Sequence, residues 1–135
     1  MEDWEEIEKL HFAVMDESFD NVKDLVENGV PIQNFDDCDK TPLHYAVEQE
    51  NFQIAQYLIE HGADVNAQDI EKCGDTPLGN VGATCSLKMA KFLVKHGANP
   101  AAPGWMQLSA VHRAKNRKKP EGVEVYEFLV QHAKT

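Results

Sequence analysis

The chain has 135 residues, 23 acidic and 13 basic, with a formal net charge of −10. Its length is typical of one domain, which we expect to span residues 1–135, and it has no apolar run long enough for a membrane-spanning helix. Three cysteines without a C-x-x-C spacing indicate neither a disulfide framework nor a zinc site, and they favour the cytoplasm.

Charge is distributed unevenly along the chain. Residues 1–71 contain 19 acids and three bases, whereas residues 72–135 contain four acids and ten bases. Such an asymmetry steers association more than it decides a fold. The acidic half should therefore attract a basic protein and repel nucleic acid. The basic run at 113–119 is expected to be a solvated loop.

A repeated unit is clearest in the middle of the chain. Thr-Pro-Leu-His-Tyr-Ala occupies residues 41–46, and Thr-Pro-Leu returns at 76–78, 35 positions later. Each is followed by His-Gly-Ala, at 61–63 and at 96–98. A fixed period of this length indicates a stacked-repeat fold, because one copy cannot bury its apolar face alone.

Two outer copies complete the series. Residues 10–14 align with 43–47, and residues 109–114 occupy the places of 41–46. Both outer copies keep the motif histidine and alanine but lack the Thr-Pro pair. The chain is therefore predicted to consist of four copies.

Each copy is predicted to contain two helices and an extended finger. The first helix should begin at the proline, whose missing N–H is not needed there. The N-cap oxygens of the second helices are expected from Ser18, Asn51 and Ser86. The left-handed stops that end these helices are expected at Gly29, Gly62 and Gly97.

Apolar residues recur at helical spacing along each second helix, so they share one face, which should form the core. In chain order the four sets are Phe19, Val22, Leu25 and Val26; Phe52, Ala55, Leu58 and Ile59; Leu87, Ala90, Leu93 and Val94; and Val123, Tyr126, Leu129 and Val130.

The motif and its spacing resemble the ankyrin repeat over nearly the whole chain. The resemblance implies an all-α solenoid of four helix-turn-helix repeats with short extended fingers, in which the outer repeats act as caps. The expected repeats are residues 4–35, 36–69, 70–103 and 104–135.

Three departures from the repeat stand out. The finger around 70–73 is two residues longer than the others, and the inter-helix turn of copy four has three extra residues within 116–122. Copy three has Gly79 and Gly82 where its neighbours have side chains. These glycines either open a notch for a partner or reflect simple degeneracy of the repeat.

Chemical motifs for catalysis are missing from the sequence, with no nucleophile-elbow, zinc-protease, Walker or dinucleotide pattern. Asp36, Asp37 and Asp39 resemble half a calcium loop without its Gly and Glu, so a solvated acidic finger is expected. Cys38 and Cys85 fall at exposed repeat positions without an activating base. We therefore expect no enzyme, no metal and no cofactor.

The six histidines all fall at repeat positions. The resemblance assigns three of them to hydrogen bonds that orient the neighbouring loop, namely His11, His44 and His112. The other three lie near the ends of second helices, where a cation suits the helix dipole, namely His61, His96 and His132.

In ankyrin-repeat proteins the fingertips and the first helices form a concave binding surface. Carried onto copies one and two, this surface contains Trp4, Phe12, Met15, Asp16, Phe35, Asp37, Cys38, Lys40, Tyr45, Glu48 and Gln49. On copies three and four it contains Lys72, Asp75, Asn80, Ala83, Thr84, Trp105, Met106, Leu108, Arg113, Asn116 and Arg117. Trp105 is favoured as an anchor, since aromatic residues anchor interfaces; for Trp4, covering the core is an equal alternative.

One protein partner is expected, and three functions remain open. We expect nothing beyond the repeats, an organisation that resembles small stand-alone ankyrin inhibitors such as bacterial immunity proteins that neutralise a cognate toxin. Its acidic half would suit a basic toxin or enzyme. The alternatives are a non-inhibitory adaptor or scaffold and a regulatory enzyme subunit. We expect a cytoplasmic protein, monomeric when free, that binds neither nucleic acid nor membrane.

Overall fold

The computed structural model describes residues 4–69, 74–115, 117 and 120–133. All regular secondary structure within these residues is helical, so the predicted all-α fold is confirmed. The chain divides into two compact units, residues 1–64 (unit 1) and residues 65–135 (unit 2).

Unit 1 contains two helical pairs. The first pair is α1 (Trp4–Met15) and α2 (Phe19–Glu27), and the second is α3 (Pro42–Glu48) and α4 (Phe52–Glu60). Helix α1 packs on α2 and α3, and α4 packs on α3 and α2. Each helix therefore contacts both its own partner and the matching helix of the next pair.

The helix ends of unit 1 follow the sequence signals with one exception. Helix α3 begins at Pro42 after the N-cap Thr41, and the Asn51 side chain accepts a hydrogen bond from the Ile54 N–H at 3.1 Å. Gly62 has a φ of 104°, which only glycine adopts without cost. Ser18 occupies the predicted N-cap, but its side chain makes no capping bond.

Unit 2 contains α5 (Pro77–Val81), α6 (Leu87–Lys95), α7 (Ala110–Ala114) and α8 (Pro120–His132). Helix α7 packs on α5, and α8 packs on α6 and α7. Helix α8 has 13 residues where α6 has nine. Residues 120–122, which were expected in the turn, therefore belong to α8. The long finger at 70–73 lies outside the described residues.

Each unit has its own apolar core. Fully buried side chains in unit 1 include Leu10, Val14, Leu43, Val47, Ile54 and Leu58. Those in unit 2 include Leu78, Met89, Leu93, Val125 and Leu129. The core face predicted for α8 is partly wrong, because Val123 and Val130 are 53% and 44% exposed. These two valines lie seven residues apart, on a side of the helix that α6 and α7 leave uncovered.

Histidines complete the ends of two second helices. The Nδ1–H groups of His61 and His132 donate to the carbonyl groups of Tyr57 (2.8 Å) and Phe128 (2.9 Å). Each ring also lies over the aromatic ring one turn earlier, with centroid distances of 4.1 and 4.2 Å. A neutral imidazole can make these bonds, so a cation is not required at the helix end.

Candidate protein-binding surfaces

Asp36 organises the finger between α2 and α3. Its side chain is only 8% exposed and accepts hydrogen bonds from the backbone N–H groups of Cys38 (2.9 Å) and Lys40 (3.1 Å). The Tyr45 hydroxyl donates to its second oxygen. The expectation of a solvated acidic finger is therefore wrong for Asp36, because its carboxylate is the acceptor around which the turn closes.

The bond between Tyr45 and Asp36 has a fixed direction. Burial alone would raise the pKa of Asp36, but the hydrogen bonds from Tyr45 and from the backbone of Lys40 and Cys38 outweigh it and hold the pKa below its usual value. Burial raises the pKa of Tyr45, and the bond to the carboxylate raises it further. At neutral pH the tyrosine is therefore the donor and the aspartate the charged acceptor.

Two further contacts fix the same finger. His11 Nε2 lies 2.9 Å from the carbonyl oxygen of Asn34 and 3.1 Å from that of Lys40, so this nitrogen carries the proton. The Lys40 ammonium lies 2.6 Å from the Glu48 carboxylate and 5.3 Å from the centre of the Tyr45 ring. Loop orientation by a motif histidine is thus observed at His11.

Exposed apolar and acidic side chains lie around this finger. We call this surface the acidic face and define it as Phe12, Met15, Asp16, Asp37 and Glu48, all of them exposed. Phe12 is 48% and Met15 37% exposed. The Gln49 side chain donates to the Met15 carbonyl at 2.8 Å, which joins the ends of α1 and α3. The acidic face therefore lies on one connected framework.

Other residues expected to bind a partner in unit 1 have different surroundings. Cys38 is exposed, whereas Phe35, Lys40, Tyr45 and Gln49 are half-buried. The last three make the internal bonds described above. The side chain of Trp4 lies outside the part that the structure describes.

In unit 2, two expected binding residues pair with each other. The Arg113 guanidinium donates to both oxygens of Asp75, at 2.8 and 3.0 Å, and to the Gly79 carbonyl at 3.1 Å. The two side chains are only 18% and 17% exposed. A two-pronged contact of this kind is among the stronger hydrogen-bonded pairs in proteins. Arg113 and Asp75 therefore join α7 to the segment that precedes α5. We call this pair the clamp.

The remaining candidates of unit 2 differ in exposure. Arg117 donates to the Gly82 carbonyl at 3.4 Å. Asn80 is half-buried, and Ala83 and Thr84 are exposed. Lys72 and Asn116 lie outside the described residues.

Gly82 does not open a notch. A Cβ atom on Gly82 would lie 2.8 Å from the Ala110 carbonyl oxygen and 3.0 Å from the Ala110 Cα. The backbone of α7 thus fills the space beside Gly82 that was expected to receive a partner. The notch hypothesis is wrong at Gly82, because the missing side chain allows α5 and α7 to approach closely.

An apolar tip projects from the finger before α7. We call residues 103–108 the hydrophobic tip; within it Met106 is 68% and Leu108 37% exposed. The Gly104 N–H donates to the Leu108 carbonyl at 3.0 Å, and the Gln107 N–H donates to the Gly104 carbonyl at 2.9 Å. Met106 is thus exposed, while the side chain of Trp105 lies outside the described part.

Metal-binding clusters and exposed thiols are scarce among the described residues. Within the described residues, no cluster of three His, Cys, Asp or Glu side chains could hold a metal ion. Cys38 is exposed, but Cys85 is 2% exposed. The expectation of an exposed Cys85 is wrong, because it packs into the core where α5 leads into α6. No described helix is long and apolar enough to cross a membrane.

Paired helices that end at left-handed glycines, with exposed side chains on first helices and fingers, define a helical repeat module. A family model of ankyrin repeats matches residues 10–59 and 47–94, and the chain belongs to the ankyrin-repeat family. A comparison with curated proteins found no match. Ankyrin repeats are a protein–protein interaction module, so the ligand class of this chain is protein.

Proposed function

We propose that this chain is an inhibitor that binds one basic protein through the acidic face and occludes it, as an immunity protein occludes its toxin. In this proposal the chain has no catalytic activity, works in the cytoplasm and is monomeric when free. Its partner is a toxin or enzyme whose own site attracts an anionic substrate.

The acidic face carries this proposal. Phe12 and Met15 offer exposed apolar side chains on α1, and exposed carboxylates follow at the end of α1 (Asp16), on the finger (Asp37) and at the end of α3 (Glu48). Buried apolar contacts supply most of the affinity of an interface, whereas surrounding charges accelerate encounter with a partner of opposite sign. The acidic face therefore combines an anchor with a charge that selects a basic partner.

Preorganisation supports the same proposal. The finger that carries Asp37 is held by the buried Asp36 carboxylate and by His11. The ends of α1 and α3, which carry Met15 and Glu48, are joined through Gln49. Because these backbone segments are already fixed, binding costs little ordering entropy. This low entropic cost favours tight binding, as one-to-one occlusion requires.

A titration experiment tests inhibition. The tagged full chain would be used as bait in its native cell at low and at moderate salt, and the recovered protein would be purified and assayed for its own activity. We expect a basic protein whose activity falls to zero at equal stoichiometry and whose association slows as salt rises. Full activity at saturating chain would contradict inhibition and favour an adaptor.

Two matched double variants locate the surface. Replacing Phe12→Ser and Met15→Ser removes the anchor of the acidic face, and we expect a loss of affinity of about a hundredfold. Replacing Val123→Ser and Val130→Ser, which are also exposed apolar residues, should leave affinity unchanged. Equal losses in the two variants would contradict the assignment of the acidic face.

A further inference from the structure

The end of α2 is secured less firmly than the ends of α4, α6 and α8. In each of those three helices a histidine ring lies against an aromatic ring one turn earlier, with centroid distances of 4.1, 4.7 and 4.2 Å. Asn28 takes this place in α2, and its side-chain amide donates to the Asp24 carbonyl at 2.8 Å. Both residues are exposed, and neither carries a ring that could stack. The last turn of α2 should therefore open more readily than its counterparts.

Gly29 makes Asn28 chemically different from the other asparagines. Asn28 is the only one of the eight asparagines that precedes a glycine. Gly29 has no side chain to shield its backbone nitrogen, and nothing lies within 4 Å of the place where a Cβ atom would be. An unshielded nitrogen at this position can attack the carbon of the preceding side-chain amide, a reaction that makes asparagine thermolabile.

Both groups that would react are hydrogen-bonded while the helix end is closed. The Gly29 N–H donates to the Val26 carbonyl at 3.1 Å, and the Asn28 amide donates to Asp24. The backbone of Asn28, with a φ of −88° and a ψ of 7°, also keeps close to the path of the helix. The two groups can therefore meet only when the last turn opens, so the rate of reaction depends on how firmly this end is secured.

We propose that Asn28 is a site of spontaneous modification, at which the chain converts its own asparagine to aspartate and isoaspartate. When the last turn of α2 opens, the Gly29 backbone nitrogen loses its proton to the solvent and attacks the side-chain carbon of Asn28. The bond between this carbon and the amide nitrogen breaks, and the nitrogen takes up a proton and leaves as ammonia. Water then opens the resulting cyclic imide at either carbonyl, which leaves a carboxylate on residue 28.

The product weakens the helix end at which it forms. A carboxylate cannot donate to the Asp24 carbonyl, and its charge lies at the C-terminal end of α2, where the helix dipole disfavours an anion. It also lies close to the Asp24 carboxylate, which is 3.4 Å from the Asn28 amide nitrogen in the unmodified chain, and like charges one turn apart are destabilising. Helix α2 packs on α1 and α4, so the modification should loosen unit 1 as the chain ages.

Incubation of the purified full chain in mildly alkaline buffer, followed by peptide mass spectrometry, tests the modification. We expect a carboxylate to replace the amide at residue 28 before any other asparagine reacts, with both aspartate and isoaspartate formed. The rate should rise with pH, because the attacking nitrogen must lose its proton. Gly29→Asn is the matched control, since asparagine tolerates the left-handed φ of 88° and its side chain shields the nitrogen. An unchanged residue 28, an equally fast reaction at another asparagine, or an equal rate in Gly29→Asn would overturn the proposal.

Asn28→Asp measures the consequence for the helix end. By amide hydrogen exchange followed by NMR, we expect the N–H groups of Gly29 and Val30 to exchange about fivefold faster than in the unmodified chain. Asn21→Asp is the matched control, because it adds the same charge to an exposed residue near the start of α2, where the helix dipole favours an anion. Equal exchange in the two variants would overturn the claim that the modification weakens the end of α2.

Discussion

Tyr45 in unit 1 and Arg113 in unit 2 occupy the same place in the repeat, and both bond to an aspartate. Tyr45 bonds to Asp36, nine residues earlier on the adjoining finger. Arg113 bonds to Asp75, 38 residues earlier and in the preceding copy. A place in the repeat therefore fixes where a side chain lies but not which partner it finds. The Tyr45 bond therefore stays within one copy, whereas the Arg113 bond joins two copies.

The first helices show the same contrast in their packing. Val47 of α3 is fully buried, and the matching residue of the next copy is Gly82, against which the Ala110 backbone packs. Unit 1 fills this place with a side chain and unit 2 fills it with a neighbouring helix. The two units should therefore respond differently to substitutions at matching places.

The largest effect is expected from Gly82→Val. Its Cβ would overlap the Ala110 backbone, which cannot rotate away, so we expect unit 2 to lose about 3 kcal/mol of stability. Urea unfolding followed by hydrogen exchange would measure the loss separately in each unit. Ala83→Val, at the exposed neighbouring residue, is the control and should be nearly neutral. Equal stability of Gly82→Val and the control would refute the close approach of α5 and α7.

A smaller, pH-dependent effect is expected from Tyr45→Phe in unit 1. At pH 7 the loss of a hydrogen bond to a buried carboxylate should cost about 1.5 kcal/mol. The folded-state pKa of Asp36 is lowered. The stability that its ionised carboxylate contributes is therefore present above the unfolded-state pKa of about 3.9, and it is lost as the pH falls through the folded-state pKa. The difference in the free energy of unfolding between the unmodified chain and Tyr45→Phe should therefore become smaller below about pH 4. A difference in the free energy of unfolding that stays constant down to acid unfolding would contradict the assignment of Asp36 as a charged acceptor.

Helix caps give a third comparison between the units. The Ser86 hydroxyl accepts from the Met89 N–H at 3.0 Å, whereas the Ser18 hydroxyl makes no capping bond. Ser86→Ala should therefore cost about 1 kcal/mol, and Ser18→Ala only a few tenths. Thermal unfolding of the two variants under one buffer would check this order, and the reverse order would refute it.

The smallest effect on stability is expected from Glu48→Gln. Its ion pair with Lys40 is about one third exposed, and such pairs contribute at most about 0.5 kcal/mol. Association with the basic partner should nevertheless slow about twofold at low salt. Glu27→Gln, an exposed acid on α2, is the control. If both variants slow association equally, net charge rather than the acidic face steers the partner.

Local features of the fold could be predicted from the sequence, and contacts between copies could not. The starts of α3 and α5, and the stops at Gly62 and Gly97, depend on residues within one turn. The clamp and the approach of Ala110 to Gly82 join residues far apart in the chain. The sequence around either residue of such a pair does not show which distant residue it contacts. The burial of Asp36 was missed because three acids within four residues are typical of a solvated loop, and the bonds from Tyr45 and from two backbone N–H groups that distinguish Asp36 appear only in the structure.

The contact between Gly82 and Ala110 also limits how this array can be rebuilt. Repeat arrays are often lengthened by inserting or exchanging consensus copies. A consensus copy with a valine-sized residue in place of Gly82 would collide with α7, and a copy inserted after α6 would leave Gly82 facing a surface shaped for another neighbour. Copies three and four therefore form one inseparable building block for engineering, to be transplanted together or not at all.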